Sequence, residues 1–174
     1  MIKEGIIITL LILFSSSLSL SPLKQSSKSI LQCSQHFNSN NLNGTLSITF
    51  CKISECLEIS SDYIDEANWE LAVEDGLQPL SQCLKEASLS DEIMIDDFKQ
   101  NMLLASLNIA KACEITGCIV QASAGSEYII DAGTNIVRAA EAYKIYNKVA
   151  AEYIMNAGKS ISTFGFQLSI GKFT

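Results

Sequence analysis

The sequence predicts a mainly α-helical protein: a disulfide-stapled bundle of about four helices, with one long C-terminal helix and short β-strands near both ends of the mature chain. Three observations predict it. Apolar residues recur at alternating steps of three and four through the second half of the chain. Six cysteines all follow an apolar leader, the usage of a secreted chain. Two short stretches, around residues 45 and 165, switch to strict polar–apolar alternation, the period of a strand.

The leader is Met1 to Leu20. Lys3 supplies a short positive region, Ile6 to Phe14 is apolar except for Thr9, and Ser17 and Ser19 offer small residues for cleavage. That run is far shorter than the roughly 20 apolar residues that a bilayer span requires. The expectation is a secreted, extracellular protein with no stable membrane span once residues 1–20 are removed. Residues 21–44 are rich in Ser, Asn and Gln and show little periodicity, so they read as a loose arm ahead of a single helical domain at 45–174. Asn43-Gly44-Thr45 is an N-glycosylation sequon in turn-forming context, which makes Asn43 a candidate glycan site.

Within the domain, Thr45 to Phe50 alternates and is expected to be a strand. Ser60 or Ser61 is positioned to cap a helix whose first turns carry Asp62, Asp65 and Glu66, with Gly76 as its stop. Pro79 opens another, with Leu80, Cys83, Leu84 and Ala87 on one face. A third, capped from Ser88 or Ser90, carries the seam Ile95, Phe98, Met102, Ala105, Ile109 and Ala112 up to Gly117. Short connections favour antiparallel neighbours, hence a bundle.

The long helix is expected from Ile119 to about Ser160. Ile129, Ala132, Ile136, Ala139, Tyr143, Tyr146, Ala150, Tyr153 and Ala157 form its seam, and about 40 residues at 1.5 Å each give a rod of roughly 60 Å. The rod contains an echo: EYIIDAGTNI, from Glu127, returns 25 residues later as EYIMNAGKSI, from Glu152, with six of ten positions identical. Gly inside a helix costs about 1 kcal/mol relative to Ala, so the pairs ending in Gly125, Gly133 and Gly158 mark places where another backbone comes close. Beyond the rod, Phe164, Phe166, Leu168 and Ile170 alternate with polar or Gly positions, a second expected strand that either pairs with Leu46–Phe50 against the helices or is accepted by a neighbouring molecule.

The cysteines are Cys33, Cys51, Cys56, Cys83, Cys113 and Cys118, and an even number in a secreted chain implies three disulfides. The matched spacings Cys51-x4-Cys56 and Cys113-x4-Cys118 suggest that these two pairs are joined to each other, tying the front of the chain to the head of the long helix. Neither spacing is that of a zinc site, and the acidic residues lack the alternation and central glycine of a calcium loop, so no metal and no cofactor is expected. The sole histidine, His36, lies among Asn and Gln residues with no nucleophile elbow near it, and adjacent carboxylates such as Asp96-Asp97 diverge on a helix. No catalytic residue is assigned and no enzymatic activity is expected. A net charge of −7 disfavours nucleic acid. Thirteen acids against one lysine lie between Glu55 and Asp97, whereas four acids face five bases from Glu127 onward, a split that either keeps the acidic helix faces solvated or lets the halves attract one another, within the bundle or head to tail between molecules.

The function expected from these features is structural: a self-associating subunit of an extracellular filament or surface layer, a homo-oligomer or polymer. Its contact residues are expected to be Gly125, Ala132, Gly133, Ala157 and Gly158 on the long helix, with Phe164, Phe166 and Leu168 on the terminal strand. Two alternatives come from other classes. One is a carrier holding a lipid or other apolar ligand against Tyr128, Tyr143, Tyr146 and Tyr153; the other is a membrane-active helical effector.

Overall fold

The computed structural model describes residues 21–40, 44–115 and 123–171, and among these it is helical almost throughout, with no strand. The helices are α1 (Pro22–Ser39), α2 (Gly44–Asp65), α3 (Trp69–Leu71), α4 (Gln78–Ser88), α5 (Asp96–Ile115), α6 (Ser126–Tyr143) and α7 (Lys148–Ser169). A π-helical turn, Ala72–Leu77, joins α3 to α4 without a break. Each long helix packs antiparallel on its neighbour in sequence, and α7 returns to pack on α1. The result is the expected mainly α-helical bundle, built of more than four helices and closed into a ring around one core.

Residues 21–40 are therefore not a loose arm. Ser21 caps α1 by accepting a hydrogen bond from the Lys24 amide at 3.3 Å, and Pro22 sits in the first turn, where its missing N–H costs nothing. Leu23, Ile30, Cys33 and Phe37 are buried at helical spacing. Buried serines stand among them, and they dilute the apolar stripe enough to hide it from a periodicity reading.

Those serines bond the first two helices. Ser27 and Ser54 share a 3.0 Å hydroxyl contact, and the Ser54 hydroxyl donates to the Ser27 carbonyl. One heptad along, Ser34 donates to the Ser47 carbonyl at 2.8 Å and Ser47 to the Ser34 carbonyl at 2.9 Å. Ser81 and Ser106 do the same between α4 and α5. A small side chain admits the neighbouring backbone, and its hydroxyl is satisfied by a carbonyl that a helix leaves with a free lone pair. On the other face of α1, Ser26 donates to the Ala157 carbonyl of α7 and the Cys33 thiol lies 3.8 Å from the Ala150 carbonyl, which closes the ring.

Both expected strands are helical. Thr45 to Phe50 lies in α2, where Leu46, Phe50, Ile53 and Leu57 are buried at steps of four, three and four. Phe164 to Ser169 lies in α7, with Phe164 and Leu168 buried. Ile48, Phe166 and Ile170, which a strand would have placed on the covered side, face solvent. The alternation arose because these helices carry an apolar residue on the exposed side, and over six residues that cannot be told from a strand period.

The long rod is two helices. It breaks at residues 144–147, where Asn147 takes an extended backbone conformation and its side chain accepts from the Ala150 amide at 3.0 Å, capping α7. The expected start at Ile119 lies outside the described residues. Folding the rod back brings the echo onto itself: the first copy lies on α6, the second on α7, and Gly133 and Gly158 meet. A Cβ on Gly133 would lie 2.5 Å from the Gly158 carbonyl oxygen, one on Gly158 would lie 2.7 Å from the Gly133 carbonyl oxygen, and one on Gly165 would lie 2.8 Å from the Ile130 amide nitrogen. The glycines do mark close approach, but of the chain's own backbone.

The cysteine staple is also corrected. Cys33, Cys51, Cys56, Cys83 and Cys113 are free thiols, and Cys118 lies outside the described residues, as does Asn43. Cys51 and Cys56 sit five apart on the unbroken α2, so they point in different directions. Cys113 on α5 borders a cleft with Gln78 and Ser81 of α4 rather than meeting α2.

Candidate functional site: an apolar end of the ring

The turn between α6 and α7 lies at the end of the ring where α1 ends and α2 and α5 begin. Beneath it four aromatic rings pack in series. Phe37 meets Phe50 edge-on at 5.6 Å and Tyr143 at 6.3 Å, and Tyr143 meets Phe98 at 5.5 Å. Such pairs favour tilted and edge-to-face geometry, and here they lock four helices together. Burial raises the pKa of the Tyr143 hydroxyl, with Cys33 a smaller influence.

The residues that follow Tyr143 face outward. Ile145 is 90% exposed, Tyr146 70% and Val149 45%, and Met94, just ahead of α5, is 85% exposed. Lys144 and Lys148 flank the tip and are exposed too. Scattered apolar side chains on a surface are ordinary, but Ile145, Tyr146 and Val149 fall within five residues of one another. A second stripe, Leu103, Leu104 and Leu107, lies on the outer side of α5. The opposite end of the ring is acidic, with Asp62, Asp65, Glu66, Glu70, Glu74 and Asp75 all exposed.

Few of the residues expected to mediate association are available to a partner. Gly125, Ala132, Gly133, Ala157, Gly158, Phe164 and Leu168 are buried within the ring, and Phe166 alone of that set is exposed. The four tyrosines do not converge on one pocket either: Tyr143 belongs to the aromatic core, Tyr128 and Tyr153 are half-buried against it, and Tyr146 stands in solvent. His36 bonds with Asn40 at the exposed end of α1. Among the described residues no group of three metal-ligating side chains converges, and no helix is long and apolar enough to cross a membrane. Two open surface clefts have mixed linings: one of about 440 Å³ runs past Thr45, Thr49, Glu86, Leu89 and Glu92, and one of about 290 Å³ past Gln78, Ser81, Ala110, Cys113 and Glu114.

The signal for the end face was present in the sequence. Lys144-Ile145-Tyr146-Asn147-Lys148 places an N-capping Asn between two lysines, whereas Tyr146 continues the apolar seam, so spacing alone favours one unbroken helix. The class defined by this geometry is a closed antiparallel ring of helices with an apolar corner. Comparison with models of protein families, with curated proteins and with solved structures gives no match in any of the three.

Proposed function

We propose that the protein is a secreted, non-catalytic assembly subunit whose copies join through the apolar corner formed by Ile145, Tyr146, Val149 and Met94. The observation that carries this reading is the exposure of Ile145, Tyr146 and Val149 around the turn between α6 and α7, and of Met94 just ahead of α5. The small-residue face expected to do this work is consumed inside the ring, so the contact moves to the corner. Lys144 and Lys148 there, and the acidic far end, supply opposite charges for a head-to-tail arrangement, in which each subunit leaves one end open for the next. Such an arrangement suits an extracellular filament or layer. Light scattering on the mature protein, residues 21–174, over a rising concentration series tests it. We expect mass to grow with concentration, and to fall to that of a monomer in an Ile145→Asp, Tyr146→Ser double variant. A wild-type protein that stays monomeric at the highest concentration overturns the reading.

A second reading is favoured by one feature: Ile145 and Tyr146 sit between two exposed lysines, the composition of a tip that enters the headgroup region of an anionic bilayer. Co-sedimentation with phosphatidylserine vesicles, lost on charge reversal at Lys144 and Lys148, would favour it over self-association.

A further inference from the structure

The break between α6 and α7 is narrow. Lys144 keeps right-handed helical angles, and the Tyr146 and Asn147 amides both bond to the Tyr143 carbonyl, at 3.0 and 3.1 Å, so helical winding runs on to Asn147. Asn147 itself is extended, with φ −148° and ψ 93°, while its carbonyl already accepts the Ala151 amide of α7. Residues 144–147 contain neither glycine nor proline, and none of them has a positive φ. The conformation of Asn147 is what divides one helix into two.

The register of the hairpin is equally compact. Gly133 faces Gly158, and the Ser162 hydroxyl bonds to the Ile130 carbonyl, pairings whose midpoints fall at Ile145 and Tyr146, in the turn itself. Helix α7 packs on α6 and α1, with Phe164 stacked on Trp69. None of these contacts requires α7 to belong to the same chain as the helices it touches.

We propose that α7 exchanges between two copies of the protein. Asn147 turns helical, residues 126–169 become one helix of roughly 65 Å, and each copy's α7 takes the place of the other's against α6 and α1. The two long helices then run antiparallel in the register of the hairpin, so Gly133 of one copy meets Gly158 of the second and the buried face of α7 is kept. At the two-fold axis Ile145 of one copy lies opposite Tyr146 of the other, which covers two of the most exposed apolar side chains. The Asn147 cap and the free motion of the second molecule are lost; helical winding through the turn and the buried Ile145 and Tyr146 are gained. Lys144 of one copy comes beside Lys148 of the other, a repulsion that salt screens. Exchange of this kind rests on the reading that copies join at this corner, and gives the join a form: a two-fold pair, corner to corner, with the acidic ends facing away.

The test uses residues 21–174, concentrated at high salt, with the dimer isolated by size-exclusion chromatography. Unlabelled and isotope-labelled dimers are mixed and weighed by native mass spectrometry. Dimers of intermediate mass are expected only after the mixture has been unfolded in urea and refolded, because exchange requires α7 to leave the core. Asn147→Ala removes a cap that only the hairpin uses, and is expected to raise the dimerisation constant roughly 25-fold, about five-fold for each hinge. A Gly-Ser-Gly-Ser insertion between Tyr146 and Asn147 leaves the corner side chains in place but uncouples the helices, and is expected to return monomers with the same helical circular dichroism. Intermediate masses on simple mixing, or an insertion variant that dimerises as the wild type does, overturn exchange while leaving association through the corner standing. A wild type that is monomeric at every concentration overturns both. The isotope measurement is made on wild type, so misfolding of a variant does not rescue the proposal.

Discussion

At Gly133 and Gly158 a single added methyl group has nowhere to go. It would press on backbone atoms of the facing helix, which cannot turn aside as a flexible side chain can. Gly133→Ala is expected to destabilise the protein by about 3 kcal/mol in urea unfolding despite the better helix propensity of Ala. Gly44→Ala, with nothing within 4 Å of the new atom, should be neutral or mildly stabilising. Ala67 shows the opposite situation. Its φ is 57°, and the Asn68 amide bonds back to the Tyr63 carbonyl at 2.7 Å while its own amide bonds to that of Ile64, the pattern that ends a helix with a left-handed residue. Glycine suits that place, so Ala67→Gly should stabilise by about 1 kcal/mol, read as a rise in the urea midpoint. Titration adds a third residue-scale expectation. Burial pushes the Cys113 thiol up to about 12 and raises Cys33 and Tyr143 as well, so above about pH 9 the unfolded chain sheds thiol protons that the folded chain keeps. The stability tied to Cys113 is thus intact below pH 9 and lost as pH climbs to about 12, with the opposed shifts of Cys56 and Cys83 partly offsetting each other. Equilibrium unfolding measured across that range should show the decline. Sequence alone identified Gly133 and Gly158 as points of close approach, because glycine inside a helical seam is costly wherever it occurs. It did not identify the approaching backbone, since an identical face satisfies itself equally well within a chain or between chains.

At the scale of single elements, outcomes turned on caps and on the composition of each buried face. The seam of α5 was legible because Phe98, Met102, Ala105, Ile109 and Ala112 are apolar and in step. Helix α1 was not, because Ser26, Ser27 and Ser34 are three of its seven buried residues, and their hydroxyls are satisfied only by hydrogen bonds to facing helices. Replacing Ser54 by Ala removes a hydroxyl that bonds both the Ser27 hydroxyl and carbonyl, and is expected to cost about 1 kcal/mol. The break in the expected rod rests on Asn147, a cap that is conspicuous only after the chain is seen to turn there. Asn147→Ala should lower stability by about 1 kcal/mol, measurable as a drop in the thermal midpoint, through loss of the bond to the Ala150 amide.

For the molecule as a whole, ring closure by α7 on α1 is the step that a linear reading of the sequence does not supply, since it joins faces more than a hundred residues apart. The corner with Ile145 and Met94 is a property of the ring too: these exposed side chains flank Tyr143 and Phe98, whose buried rings meet at 5.5 Å across two helices. Closure also makes order along the chain partly dispensable. With α1 and α7 antiparallel neighbours, the first residue of α1 and the last of α7 lie toward the same end, and every helix would keep its neighbours if the polypeptide began elsewhere. A circular permutant opened between Ser90 and Asp91, with the old ends joined by a flexible Gly-Ser tether, should refold to the same helical circular dichroism.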